Sequence, residues 1–105
     1  MAVSVEDRLA INELIARHGH IMDSGEFDRL DDLFSHEVTY DLGDFGLGAR
    51  QGIGAIRDAA IAMGDRNPVG YHVTNVILTE AGGHVVRVRS RGIGIQADGS
   101  SGSVV

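Results

Sequence analysis

Two antiparallel β-strands are predicted by residues 71–97, which read YHVTNVILTEAGGHVVRVRSRGIGIQA. The first of them alternates in character, and one face is expected to carry His72, Thr74, Val76 and Leu78. The sequence Ala81-Gly82-Gly83 is typical of a hairpin turn, and residues 84–97 are long enough for the second strand. Residues 103–105 then begin a third strand. The C-terminal third of the chain therefore predicts an antiparallel sheet.

Helices are predicted in the first two thirds of the chain. Apolar residues at helical spacing indicate a helix from about Val5 to Asp23, with Ser4 as its N-cap and Gly25 as its stop. A second, short amphipathic helix is predicted over residues 27–34, and a third over residues 56–63. The acidic residues Asp28, Asp31 and Asp32 occupy the other face of the second helix.

The order of elements indicates the fold class. A half-buried strand at residues 37–42 separates the second helix from the third, and antiparallel strands follow. Helices segregated from an antiparallel sheet predict a single α+β domain, for which 105 residues suffice. The core is expected to combine helix and sheet residues, namely Ile11, Leu14, Ile15, Leu33, Phe34, Val76, Leu78, Val86 and Val88.

Composition excludes several classes of function. Hydrophobic residues make up 43% of the chain and charged residues 23%, which is typical of a globular domain. The absence of cysteine excludes disulfides and thiolate metal sites. A net charge of -6 without a basic run argues against nucleic acid and anionic membranes as partners. With no apolar run of about 20 residues and no secretory signal, we expect a cytoplasmic protein.

Two short motifs resemble binding sites but favour structural readings. The glycines Gly48, Gly52 and Gly54 resemble a nucleotide-binding loop, yet the alternating strand before them and the lack of a βαβ unit indicate a turn and a helix cap. His18 and His20 are about 200° apart on a helix, so they cannot share one metal ion. His18 lies on the apolar stripe and is predicted to pack in the core, whereas His20 points elsewhere.

The second long strand carries a stripe of arginines. Arg87, Arg89 and Arg91 alternate on one face, which Ile93 and Ile95 continue. This face is either exposed to solvent, or it forms an interface or an anion contact. Alternatively, Gly92 and Gly94 could form a β-bulge, in which case the residues after it would lie on the other face of the strand. Because the chain also ends on an apolar strand, we expect a homodimer or higher homo-oligomer that pairs near Arg91, Ile93 and Ile95.

Three residues are candidates for chemistry. His72 is expected to point inward with Val76 and Leu78, either as a satisfied core residue or as a functional one. Tyr40 shares the apolar face of its strand and brings a hydroxyl inside. Asp23 lies off the apolar stripe of the first helix, so its spacing alone predicts an exposed side chain.

The sequence resembles a SnoaL-like domain of the nuclear transport factor 2-like superfamily. Four stretches carry the resemblance: DRLAINELIARHGHIMDSGEFDRLDDLF, VTYDLG, GARQGIGAIRDAAIAM and HVTNVIL. Relatives include scytalone dehydratase, hexachlorocyclohexane dehydrochlorinase, bile acid dehydratase and polyketide cyclases. The resemblance implies a cone in which about three helices pack on the concave side of a curved antiparallel sheet around an apolar pocket. Such relatives end with two long strands, so this domain, residues 1–105, is expected to be C-terminally incomplete.

The resemblance also implies a catalytic set. In the dehydratase and dehydrochlorinase relatives, an aspartate at the end of the first helix orients a histidine that removes a proton from the substrate. By motif position these match Asp23 and His72, and a tyrosine of scytalone dehydratase matches Tyr40. That enzyme's second pocket histidine falls near Ile95, so its acid–base set is incomplete here.

Two hypotheses about function follow. The first is a small-molecule lyase or isomerase, dehydratase-like, that acts on an apolar or polycyclic molecule without a cofactor or metal. The second is a non-catalytic ligand-binding or assembly module on the same fold. A contact between Asp23 and His72 inside the pocket would favour catalysis, and an exposed Asp23 would favour the module.

Overall fold

The structure is a computed structural model that describes residues 3–42 and 48–104. It confirms the α+β class. The α-helices are α1 (Val5–Ser24) and α2 (Ile53–Met63), with 3-10 helices at Phe27–Asp32 and Gly64–Arg66. The strands are β1 (Thr39–Asp41), β2 (Ala49–Gln51), β3 (Gly70–Glu80), β4 (Val86–Ile95) and β5 (Ser101–Val104). Part of the glycine-rich loop, residues 43–47, and the final residue of the predicted third strand lie outside the described residues.

Helix α1 has the ends that its sequence predicts. The Ser4 side chain accepts a hydrogen bond from the backbone N–H of Asp7 at 3.1 Å. Gly25 adopts the left-handed conformation, with φ of 72°, and its N–H bonds to the carbonyl oxygen of Ile21. A residue with a β-carbon would be strained at Gly25, so glycine ends the helix there.

The strands form two antiparallel sheets. Strand β1 pairs with β2, which places Tyr40 opposite Arg50. The second sheet has the strand order β3-β4-β5, and α1 packs against β3. Within the described residues the sheets do not close into a barrel. Strand β2 was not predicted, because three residues within a glycine-rich segment carry no readable alternation.

A β-bulge interrupts the alternation of β3. Thr74 pairs with Arg91, but the next pair is Ile77 with Arg89, so β3 contains one extra residue. Asn75 takes up this residue with a left-handed φ of 56°, a conformation that asparagine tolerates better than most residues. The side chains on either side of the bulge are therefore out of phase with each other.

The bulge overturns one prediction made from the sequence. The inward-facing residues are Tyr71 and Val73 before the bulge, and Val76 and Leu78 after it. The prediction that His72 shares a face with Val76 and Leu78 is wrong, and the His72 side chain is exposed.

The buried core lies at one end of the domain rather than along the sheet. Its buried members come from α1, the first 3-10 helix and α2: Ile21, Leu30, Ile53 and Ile56. The expected core residues of the sheet and of the first half of α1 are only half-buried, and Leu14 and Val88 are exposed by 39% and 37%. That part of the prediction is wrong, because the inner face of the sheet borders a cavity.

Candidate functional site

A cavity of about 320 Å³ separates α1 from the inner face of the three-stranded sheet. Its wall consists of Leu14, Ile15, His18, Leu33, Phe34, Tyr40, Tyr71, Val73, Ser90 and Gly92. The wall is mostly apolar or aromatic, and its polar groups are one imidazole and three hydroxyls. Such a lining suits a small apolar or aromatic molecule that presents one or two polar atoms.

Small residues on β4 leave room for this cavity. Gly92 lies opposite Val73, and Ser90 lies opposite the bulge, both on the inner face of the strand. Larger residues at these positions would fill the space beneath α1. The arginines of β4 occupy the outer positions, so the strand presents small side chains inward and charged ones outward.

His18 is at the centre of an aromatic cluster. Its ring lies edge-on to the rings of Phe34 and Tyr71, with centroids 6.1 and 5.5 Å away. Its Nε2 atom is 3.5 Å from the Tyr40 hydroxyl, a long hydrogen-bonding distance. The sequence predicted a packed histidine on the apolar stripe. What it did not show is that this stripe borders a cavity.

Burial sets the protonation states of the cluster. Burial lowers the pKa of His18 below its usual 6.5, so the ring is neutral near pH 7. Burial, and then the proximity of Tyr71, raises the pKa of Tyr40. Burial also raises the pKa of Tyr71. The cavity therefore presents one proton acceptor and two phenols that keep their protons.

Asp23 makes no hydrogen bond or ion pair with the His72 side chain. Its Oδ2 accepts a hydrogen bond from the backbone N–H of Tyr71 at 3.3 Å, and its Oδ1 accepts one from the Ser24 hydroxyl at 3.3 Å. The expected geometry of an Asp23–His72 pair in the pocket is wrong, because the bulge turns Tyr71 inward and His72 outward. Of the three predicted site residues, only Tyr40 lines the cavity.

The half-buried position of Asp23 follows from close packing of α1 on β3. Gly19, one turn earlier on the same side of α1, is buried against the Tyr71 backbone. A β-carbon at Gly19 would lie 2.7 Å from the Tyr71 carbonyl oxygen, closer than real contacts allow. Gly19 and Asp23 thus hold the first part of β3 against the helix, and they place the Tyr71 ring beside His18.

The two binding motifs weighed in the sequence have structural roles. Gly52 is the N-cap of α2 with φ of 84°, which agrees with the turn-and-cap interpretation. His20 is exposed while His18 lines the cavity, so the two do not converge. Across residues 3–42 and 48–104, no group of three or more histidines or acidic residues could hold a metal ion. No helix in these ranges is long and apolar enough to cross a membrane.

A family model for the SnoaL-like domain matches residues 3–105. The chain belongs to the SnoaL-like family. A search of curated proteins finds no match to this SnoaL-like chain. Among solved structures, it is similar to a proposed aromatic ring hydroxylase from Novosphingobium aromaticivorans, with 28% identity and a TM-score of 0.80. The match covers 98% of this chain and 75% of that protein.

Two further structures share the fold of this SnoaL-like chain. Aln2 from a Streptomyces species has 20% identity and a TM-score of 0.76, over 99% of this chain and 76% of Aln2. The β subunit of a proposed aromatic-ring-hydroxylating dioxygenase from Novosphingobium aromaticivorans has 19% identity and a TM-score of 0.62. That match covers 90% of this chain and 69% of the subunit. The SnoaL-like fold includes enzymes of the isomerase and dehydratase type as well as ligand-binding subunits.

Proposed function

We propose that this chain is a cofactor-independent lyase or isomerase that moves a proton on a small apolar or aromatic molecule. The observation that supports this most is a neutral His18 in the wall of an apolar cavity, with its Nε2 atom 3.5 Å from the Tyr40 hydroxyl. A neutral imidazole is the usual general base of enzymes at neutral pH. The wall around these two groups is mostly apolar.

The two groups have complementary roles in this proposal. Tyr40 donates its hydroxyl hydrogen to a carbonyl oxygen of the substrate, and His18 takes a proton from the carbon beside that carbonyl. Because burial disfavours the charged imidazole, His18 then gives the proton up readily. In an isomerisation the proton returns to a different carbon, so no atom is gained or lost. In a lyase reaction the proton leaves with the departing group.

The proposal replaces the general base inferred from the resemblance. The imidazole of His72 is on the exposed face of β3, whereas that of His18 is inside the cavity. We assign Asp23 a positioning role, since it holds the backbone of Tyr71 rather than a catalytic ring. A catalytic role for His72 and Asp23 stays a prediction that the variants below test.

Deuterium exchange tests the proposal without knowledge of the natural substrate. We expect the protein to accelerate exchange of the C2 protons of 1-tetralone in D₂O, followed by NMR. His18→Gln should reduce this rate by roughly 100-fold or more, and Tyr40→Phe should also reduce it. His72→Gln is the matched control, because it removes an exposed imidazole and should leave the rate unchanged.

The opposite ranking would contradict this assignment. If His72→Gln abolished exchange and His18→Gln did not, the pair Asp23 and His72 would be the catalytic set. If 1-tetralone and related cyclic ketones bound in the cavity but none exchanged, the chain would be a binding protein rather than a proton-transfer enzyme.

A second candidate function is a non-catalytic ligand-binding subunit. It is favoured by the cavity wall, which in the described part of the chain contains no carboxylate that could orient His18. The likeness to the β subunit of a proposed dioxygenase agrees with it in fold. Tight binding of 1-tetralone without exchange would support this candidate. We further propose, as expected from the sequence, a homo-oligomer and a cytoplasmic location.

A further inference from the structure

Arg50 is the cross-strand neighbour of the cavity residue Tyr40. The two residues are directly opposite each other on β1 and β2. Both are half-buried, while the residues before and after them on each strand are exposed. They therefore share the inner face of this hairpin, with β-carbons about 4.5–5.5 Å apart.

The Arg50 side chain has a buried donor without a partner. Its Nε atom is buried and donates no hydrogen bond to any residue in the ranges 3–42 and 48–104. Nearby polar side chains are already paired, since Thr39 donates to Gln51 at 2.7 Å and Gln51 donates to the Glu37 carbonyl oxygen at 3.0 Å. By contrast, the Nε of Arg57 donates to the Phe27 carbonyl oxygen at 2.9 Å.

A buried donor without an acceptor is unfavourable, so the arrangement suits an acceptor that arrives with a ligand. An arginine binds a carboxylate through two parallel hydrogen bonds, which matches the planar fork of its side chain. The described cavity wall itself contains no charged residue. Arg50 is not itself part of this wall, but it is the positively charged cross-strand neighbour of the wall residue Tyr40.

We propose that Arg50 forms an anion subsite beside Tyr40, and that the ligand is an aromatic molecule carrying a carboxylate. The aromatic part occupies the cavity among His18, Phe34 and Tyr71, and the carboxylate pairs with the Arg50 guanidinium. This inference rests on the proposed function, because it assigns a substrate class to the same cavity. It concerns recognition, so binding alone can test it.

Two probes of similar shape separate charge recognition from cavity binding. The dissociation constants of 2-naphthoate and 2-naphthol are measured at pH 7 by calorimetry. We expect the unaltered protein to prefer 2-naphthoate by about tenfold or more. Arg50→Met should remove this preference and leave 2-naphthol binding unchanged, and Arg50→Lys should retain only part of it. Arg89→Met, which removes an exposed arginine from the outer face of β4, should keep the full preference.

The stability of the variants separates a binding role from a structural one. Because Arg50→Met removes an unpaired buried donor, its Tm should be unchanged or higher. A lower Tm of Arg50→Met, together with an equal loss of affinity for both probes, would overturn the proposal. If Arg50→Met does not fold, the affinities of Arg50→Lys for the two probes provide the same comparison. If 2-naphthol bound to the unaltered protein and bound more weakly to His18→Gln, but 2-naphthoate bound no more tightly than 2-naphthol, the anion subsite alone would be overturned. Failure of both probes to bind would overturn the aromatic cavity as well.

Discussion

The backbones of Gly19 and Tyr71 meet so closely that a β-carbon on Gly19 would lie 2.7 Å from the Tyr71 carbonyl oxygen. This contact brings α1 against the first part of β3. His18 is the residue before Gly19, and the centroids of the Tyr71 and His18 rings are 5.5 Å apart. Packing of the helix on the strand and the geometry of the candidate site therefore depend on the same contact.

Gly19→Ala should destabilise the fold and disturb the cavity. The added methyl group has no space unless the helix moves away from the strand, and such overpacking costs about 1–3 kcal/mol of unfolding free energy. Urea denaturation measures this loss. The matched control is Gly54→Ala in α2, where a β-carbon meets nothing within 4 Å. Gly54→Ala should leave stability unchanged or raise it by up to about 1 kcal/mol. Equal effects of the two substitutions would contradict the contact.

Asp23→Ala and Asp23→Asn should differ in effect. The Asp23 carboxylate accepts the Tyr71 N–H, and an asparagine oxygen can accept the same bond. Asp23→Ala should lower the unfolding free energy by about 0.5–1.5 kcal/mol and speed hydrogen exchange of the Tyr71 amide, whereas Asp23→Asn should change both much less. If Asp23→Asn were as damaging as Asp23→Ala, the negative charge itself would be needed, as a catalytic Asp23–His72 pair requires.

The stability of the protein should depend on the protonation of His18. Burial lowers the pKa of His18 in the folded state below the value of 6.5 that it has in an unfolded chain. Between these two pKa values the unfolded chain binds the extra proton, so stability falls as the pH decreases from 6.5 towards the folded pKa. Well above 6.5, where neither state binds this proton, His18 contributes no pH dependence.

An NMR titration of the His18 ring measures the folded pKa directly. His18→Gln should show a shallower loss of stability over the same pH range, because glutamine does not titrate. A folded pKa at or above 6.5 would contradict the buried, neutral histidine on which the proposed mechanism depends.

The outer face of the sheet should mediate self-association. Ile95 at the end of β4 is 37% exposed, and Arg91 on the same face is exposed as well. We expect sedimentation velocity to show a dimer or a larger assembly, and Ile95→Glu to shift it towards the monomer by placing a charge in an apolar contact. Val85→Glu, at the hairpin end of β4, adds the same charge far from Ile95 and should leave the assembly intact. A monomeric unaltered protein would contradict this prediction.

Local signals in the sequence predicted the elements of the fold well. The cap at Ser4 and the glycine at Gly25 act within a few residues of the chain, so the ends of α1 are readable without tertiary information. The hairpin between β3 and β4 likewise depends on its own turn glycines. The alternation predicted for β4 is confirmed, since Arg87, Arg89 and Arg91 are all exposed. The prediction is correct here because β4 itself contains no bulge.

The candidate site was less predictable because it depends on contacts between distant segments. The phase of β3 changes at Asn75, and a run of alternating residues gives no sign of one extra residue. A helical wheel of α1 predicts that Asp23 is exposed. In the structure Gly19 allows the helix to approach β3 so closely that the Asp23 carboxylate accepts a hydrogen bond from the strand. For His18, the sequence indicated an apolar surrounding but could not distinguish a filled core from an open cavity.

The bulge at Asn75 also means that the path of the β3 backbone, and not only its composition, determines the chemistry of the cavity. If the strand kept all its residues but paired without the bulge, and the part from Val76 onward stayed in place, the inward and outward sets before Val76 would be exchanged. His72 would then replace Tyr71 beside the cavity, so an imidazole would stand where a phenol does now. A one-residue shift in strand pairing, with no substitution, therefore separates this cavity from one with a second histidine in its wall.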